Sequence, residues 1–273
     1  MAQKAHPNIL RPKENLYKGS TNWDNPRFFY TTSTIHKLIE SCCLDTTHYL
    51  DKIQIRRHLG LIYIEINLIH LHFKSKGRFF SRRFKENDMK KTPQSWTIVA
   101  CRLYKAIEVI QRFSKTKKVN LKINRLKMYT RAIPKTARRQ MSFYGKSFNR
   151  SRYDYARSGL QLMYLLLKKK ASPISFIRFL QQNIQSRQRR KRHYHFLNYI
   201  IKALKTLKRY KKIQGLKIQI KGRFTHKAKG RSRSWNYQVG SMPLSQLDKN
   251  IQAEYTQTQT AYGSVGLKVW VCT

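Results

Sequence analysis

The spacing of apolar positions changes several times along the chain, and each change predicts an element. Ile35, Leu38, Ile39, Cys42 and Cys43 recur at helical spacing behind Ser33 and Thr34, either of which can cap a first turn. Ile53 and Ile55, then Ile62, Ile64, Ile66 and Leu68, alternate on either side of a turn around Gly60, which predicts a hairpin. Thr92-Pro93 opens a second helix with proline at its first position, and Val99, Leu103, Ala106, Ile107 and Ile110 form its apolar stripe. Val119, Leu121 and Ile123 supply a third strand. Residues 156–168 read as a helix, and Ser172-Pro173 begins another, lined by Ile174, Ile177, Leu180 and Ile184. Phe196, Leu197, Ile200, Ile201, Leu204 and Leu207 make the strongest stripe of all. Alternation then returns: Leu216, Ile218 and Ile220 against Lys217, Gln219 and Lys221, and Val265, Leu267, Val269 and Val271 against Gly266, Lys268 and Trp270. Each of these strands has one apolar face and one cationic face.

The pattern predicts an α+β protein with an irregular N-terminal arm over residues 1–34 and a helix–strand–strand–helix–strand domain over 35–126, interrupted by a basic insertion near 78–93. A basic, aromatic insertion and a helix occupy 127–171. Residues 172–273 form a final domain of two helices packed on a small mixed or antiparallel sheet.

Charge narrows the function. Against 58 Lys plus Arg stand 12 Asp plus Glu, a formal net charge of +46 that a compact chain cannot hold without counter-charge. Phosphate is the natural partner, because each neutralised phosphate releases condensed counterions. Candidate RNA contacts are Lys4, His6 and Arg11 on the arm, and Arg131, Arg138, Arg139 and Arg150 among the aromatics Tyr129, Phe143 and Tyr144. The block Arg187, Arg189, Arg190, Lys191 and Arg192 follows, with Lys202 on the polar face of the next helix. Between the final strands, Arg223, Lys227, Lys229, Arg231 and Arg233 make an acid-free basic stretch with Trp235 just beyond it.

A family resemblance rests on two stretches. Gly215-x-Lys-Ile-x-Ile-x-Gly-Arg, a Trp, Gly240-x-x-Pro243-Leu244-x-x-Leu247 and Tyr262-Gly263-x-x-Gly266-x-Lys268-Val269-Trp270 occur in that order. Together they resemble the C-terminal domain of the third small-subunit ribosomal protein, the universal S-three family in its bacterial-type, organellar form. The opening Met1-Ala2-Gln3-Lys4-Ala5-His6-Pro7 resembles that family's N-terminus. The resemblance implies a type II KH-like domain over 35–126 and a structural role in the head of the small ribosomal subunit, near the messenger entry. Implied partners are small-subunit ribosomal RNA, neighbouring head proteins of the S-ten and S-fourteen families and, as a further candidate, messenger RNA. One departure stands out. Where the family's Gly-x-x-Gly clamp would lie, this chain has Lys74-Ser75-Lys76-Gly77, without the first glycine that lets backbone amides approach phosphate.

Other classes fit less well. Cys42, Cys43, Cys101 and Cys272 show no metal-ligand spacing, and the pairs His70/His72 and His193/His195 have no carboxylate or thiol cluster beside them, so neither metal nor cofactor is expected. The cysteines read as reduced, structural thiols. No apolar run is long enough for a membrane span. An intron maturase or homing endonuclease needs acids placed to hold a divalent metal, and Glu86 with Asp88 is the one close pair, so no enzyme is expected. A free-standing KH-type RNA regulator is the alternative binder; it predicts an intact clamp and moderate charge. The family-like opening at residue one leaves no room for a transit segment, and the heavy use of Lys, Ile, Asn, Tyr and Phe suits an AT-rich organellar gene. The degenerate clamp and the insertions put the mitochondrion ahead of the plastid as the expected location.

Overall fold

A computed structural model of the chain describes residues 6–7, 10–11, 26–43, 48–58, 61–70, 96–114, 118–127, 135–136, 139–140, 143, 155–185, 193–223, 231–260 and 262–273. The chain divides into two compact units, residues 21–128 and residues 1–20 joined with 129–273.

In the first unit, helix α1 (Pro26–Cys42) is followed by strands β1 (His48–His58) and β2 (Leu61–His70), helix α2 (Trp96–Ser114) and strand β3 (Lys118–Lys127). β1 and β2 pair antiparallel as the expected hairpin, with one irregularity between Leu50 and Lys52, and β3 adds to β2 in parallel. Ile62, Ile64, Ile66 and Leu68 put their side chains on one face of β2. That row packs in one core with Ile35 and Ile39 of α1 and with Val99, Leu103, Ala106 and Ile110 of α2. A period of two on the strand meets a period near four on the helices, so each element buries one face. α1 starts at Pro26, inside the stretch expected to be an irregular arm, and not at Ile35. Proline fits a first helical turn, where no amide is needed. Thr34 does not cap: its Oγ1 donates to the Thr31 carbonyl at 2.8 Å, turned back on the helix it belongs to. The Gly60 turn, Thr92-Pro93, the Lys74–Gly77 segment and the 78–93 insertion lie outside the described residues.

The second unit contains helices α3 (Tyr155–Leu167), α4 (Pro173–Gln185) and α5 (His193–Leu207), a 3-10 turn (Lys208–Tyr210), and strands β4 (Gly215–Gly222), β5 (Arg233–Gly240), β6 (Ile251–Thr260) and β7 (Gly263–Cys272). The sheet is antiparallel throughout, in the order β5-β4-β7-β6. α4 packs on β6 and β7, α5 meets β5, and α3 packs against both α4 and α5. Two helices were expected in this layer; among the described residues three are present. α3 belongs to it because residues 158–167 are buried on every side, the mark of an interior helix. At Gly159 an added Cβ would lie 2.6 Å from Phe179 Cζ, so the missing side chain lets α3 approach α4.

β5 and β6 were not among the expected strands. β6 reads Ile-Gln-Ala-Glu-Tyr-Thr-Gln-Thr-Gln-Thr, whose alternation fades into polar residues, and β5 is mostly exposed. Neighbouring strands supply the pairing that their own composition does not announce. Gly215 and Gly240 mark the tight end of the β4–β5 pair. Gly240 has φ +79°, and a Cβ there would lie 2.1 Å from the Gln214 carbonyl oxygen.

Candidate nucleic-acid interface

The final sheet has two unlike faces. Leu216, Ile218 and Ile220 of β4 and Val265, Leu267, Val269 and Val271 of β7 are all buried on the helix-covered face. Register puts Trp235 opposite Ile220 and Tyr237 opposite Ile218, so both aromatics belong to that same face. There they stack, with ring centroids 6.2 Å apart, and burial pushes the Tyr237 phenol above its usual range. Trp235 is therefore half-buried beside the helical layer and not on the open side of the sheet.

The open face follows from the same register. Across the strands it runs Gln238, Lys217, Trp270 and Ala253 in one row, then Asn236, Gln219, Lys268 and Tyr255, then Ser234, Lys221, Gly266 and Gln257. These rows contain three lysines, four side-chain amides and no acid; Glu254 of β6 points to the other face. Lys217 Nζ lies 5.4 Å from the centre of the Trp270 ring, and Lys268 Nζ 4.7 Å from that of Tyr255. Such cation–π contacts hold the ammonium groups over the sheet. Trp270 Nε1 donates to the Tyr255 hydroxyl at 3.1 Å, which fixes the two rings edge to face.

The N-terminal turn and the 242–250 loop cover the β6 end of this face, where Ala253 and Trp270 are buried. The His6 ring sits 4.3 Å from the Tyr255 ring, centre to centre. Burial, and then the Lys268 ammonium, hold His6 below the usual histidine range, so at neutral pH it acts as an uncharged ring. Arg11 is a correction to the expected RNA contacts: it is 7% exposed, and its guanidinium faces carbonyls. Nε donates to Lys249 O at 2.9 Å, and Nη2 donates to Leu244 O at 2.9 Å and to Gln246 O at 2.6 Å. Nη1 reaches Pro7 O at 3.4 Å. The guanidinium fork matches several carbonyls of one loop, so the residue serves as a structural pin. Beneath that loop Ile251, Ala253, Trp270 and Cys272 form a small core, flanked by Met242, Leu244 and Tyr255. Burial raises the Cys272 thiol above its usual range.

The other expected contacts fall in three groups. Arg223, Arg231 and Arg233 come together at one end of the sheet, where Gly222 pairs with Arg233; Arg231 and Arg233 are exposed, and Arg233 Nη1 reaches Tyr194 OH at 3.5 Å. Lys202 is exposed on α5, on the same side as Lys205, Lys208 and Arg209, and Arg139 is exposed as well. Lys4, Arg131, Arg138, Arg150, the block Arg187, Arg189, Arg190, Lys191 and Arg192, and Lys227 and Lys229 lie outside the described residues. Lys217, Lys221 and Lys268 were missing from the expected contacts, although their alternation with apolar neighbours is plain in the sequence. Their amide neighbours on β5 and β6 could not be placed without those strands.

Among the described residues no group of three or more His, Cys, Asp or Glu is arranged to hold a metal, and no helix is long and apolar enough to cross a membrane. Cys42, Cys43 and Cys272 are buried, whereas Cys101 is exposed.

Comparison with known proteins bears on the same stretch of chain. The family model for Ribosomal protein S3, C-terminal domain, matches residues 186–271. The small ribosomal subunit protein uS3c of Chlorokybus atmophyticus is 41% identical over 59 residues, which are 22% of this chain and 26% of that protein. The protein of the same name from Cyanophora paradoxa is 42% identical over 59 residues, with the same coverage of 22% and 26%. Small ribosomal subunit protein uS3 of Borrelia turicatae is 38% identical over 61 residues, 22% of this chain and 21% of that protein. The matched stretch thus spans about a quarter of the length of these relatives.

Proposed function

We propose that this chain, a ribosomal protein of the S3 family through the C-terminal domain carried in residues 186–271, is a structural, RNA-binding constituent of an organellar small ribosomal subunit. One observation carries this reading. The stretch that matches the family is also the stretch whose open sheet face is cationic and free of acids. Its chemistry is phosphate binding, with no catalytic step.

The first unit has the order helix, strand, strand, helix, strand with its last strand parallel to β2, which supports a KH-like domain. Placement in the subunit head, beside proteins of the S-ten and S-fourteen families and near the messenger entry, rests on the resemblance alone. Two organelles are in play. The altered clamp and the insertions favour the mitochondrion, while the chloroplast-type name uS3c among the relatives favours the plastid.

Sedimentation tests the reading. Small subunits from purified mitochondria and from purified plastids are run on gradients after a high-salt wash, and this chain is located by mass spectrometry. It is expected in the small-subunit peak of one organelle. Recovery only as free protein, or with both peaks empty of it, would overturn the proposal.

A further inference from the structure

We infer that the open face of β5, β4 and β7 is a platform for single-stranded RNA, with Lys217, Lys268 and Lys221 holding phosphates and the amides between them meeting base edges. The inference rests on the RNA-binding reading above and assigns it to a surface.

Geometry comes first. Lys268 lies opposite Gln219, midway between Lys217 and Lys221 along β4. Strand spacing and rise then put Lys268 about 8 Å from each of the other two, so the cations zigzag along the sheet. Two of the three ammonium groups are held over aromatic rings, Lys217 over Trp270 and Lys268 over Tyr255. Lysines held in this way lose less side-chain freedom on meeting a phosphate than free ones do.

The neighbours suggest an unpaired strand. Gln219 sits between Lys217 and Lys221 on β4, Asn236 and Gln238 flank it on β5, and Gln257 extends the third row. Amides can donate and accept, and they can meet a base edge only where that edge is not already paired. The His6–Tyr255 pair borders the platform with an uncharged aromatic wall. An acidic protein segment would satisfy the lysines but would have no use for the wall or the amides.

The test uses the full chain and a 12-nucleotide single strand of mixed sequence, with a duplex of equal length and poly-glutamate as the other arms. Lysine acylation read by mass spectrometry is expected to fall several-fold at Lys217, Lys221 and Lys268 with the single strand, and to stay unchanged at the exposed Lys37, Lys105 and Lys118. Converting Lys217, Lys221 and Lys268 together to Gln should lower single-strand affinity about 50-fold at 0.15 M salt and reduce the salt slope by about 2, given a slope near 0.7 per phosphate contact. The same change at Lys37, Lys105 and Lys118 should cost only a few-fold. Equal losses from the two triples, or lysines left unprotected while the chain binds RNA, would overturn the platform and leave the RNA-binding reading standing. Equal protection by the duplex or by poly-glutamate would also overturn it. Failure of the wild-type chain to bind RNA in a salt-dependent way would overturn both.

Discussion

Replacing Arg11 with Ala should open the loop it holds. The guanidinium makes hydrogen bonds of 2.9, 2.9 and 2.6 Å to the carbonyls of Lys249, Leu244 and Gln246, from a side chain only 7% exposed. Hydrogen bonds to a charged group contribute about 1.5–3 kcal/mol each, net of the water they replace. The three share one guanidinium, and freed carbonyls regain water once the loop moves, so their contributions do not add in full. A net local cost of about 3 kcal/mol remains, or roughly 150-fold in the population of the open form. Cys272 reports that population, because its thiol is fully buried in the small core under the loop. Native-state thiol labelling, resolved by mass spectrometry of the C-terminal peptide, should therefore proceed roughly 100-fold faster in Arg11→Ala. Arg11→Lys should fall between, since an ammonium keeps the charge but lacks the planar fork. Labelling of Cys272 at the wild-type rate in Arg11→Ala would refute the pin. Labelling of Cys42, buried in the other unit, should not change in either variant.

Three further outcomes follow from the same geometry. His6 should titrate below 6.5, and Lys268→Gln should move its midpoint part of the way back; because the folded pKa is lowered, the stability it contributes is present above 6.5 and is lost as pH falls through 6.5 toward the folded value, which histidine proton resonances and Cys272 protection can follow together. Gly240→Ala should cost more than about 2 kcal/mol in urea unfolding, since φ +79° and a Cβ 2.1 Å from the Gln214 oxygen leave alanine no relaxed position. Ile64→Ala, in the fully covered row of β2, should cost about 2–5 kcal/mol, whereas Tyr63→Ala one position away, at 44% exposed, should cost under about 0.5 kcal/mol.

The helices and the apolar strands were legible because period alone identifies them. Ile62 to Leu68 alternates without a break, and Pro173 announces α4 at its first turn. What escaped was whatever depends on a neighbour. β6 has three apolar residues at its start and then five positions of Thr and Gln around one acid-free run, so only its pairing with β7 makes it a strand. α1 extends back to Pro26 through Thr and Ser that serve equally well as loop residues. Arg11 shows the same limit at the site: its charge was plain, but a basic residue near the N-terminus gives no sign that carbonyls more than 230 positions away will take its hydrogen bonds. The lysines of the open face were visible by alternation, and their arrangement into one surface was not, because that needs the register of four strands.

The parallel pairing of β2 with β3 has an evolutionary consequence. A hairpin such as β1–β2 ties register to the length of its turn, so an added residue there is felt along the whole ladder. A parallel pair must instead be joined by a crossover from one end of the sheet to the other, and here that crossover contains α2. Register is set where β3 meets β2 and where α2 meets the core, not by how many residues lead into the helix. The length of chain between β2 and α2 can therefore change over generations without disturbing the sheet.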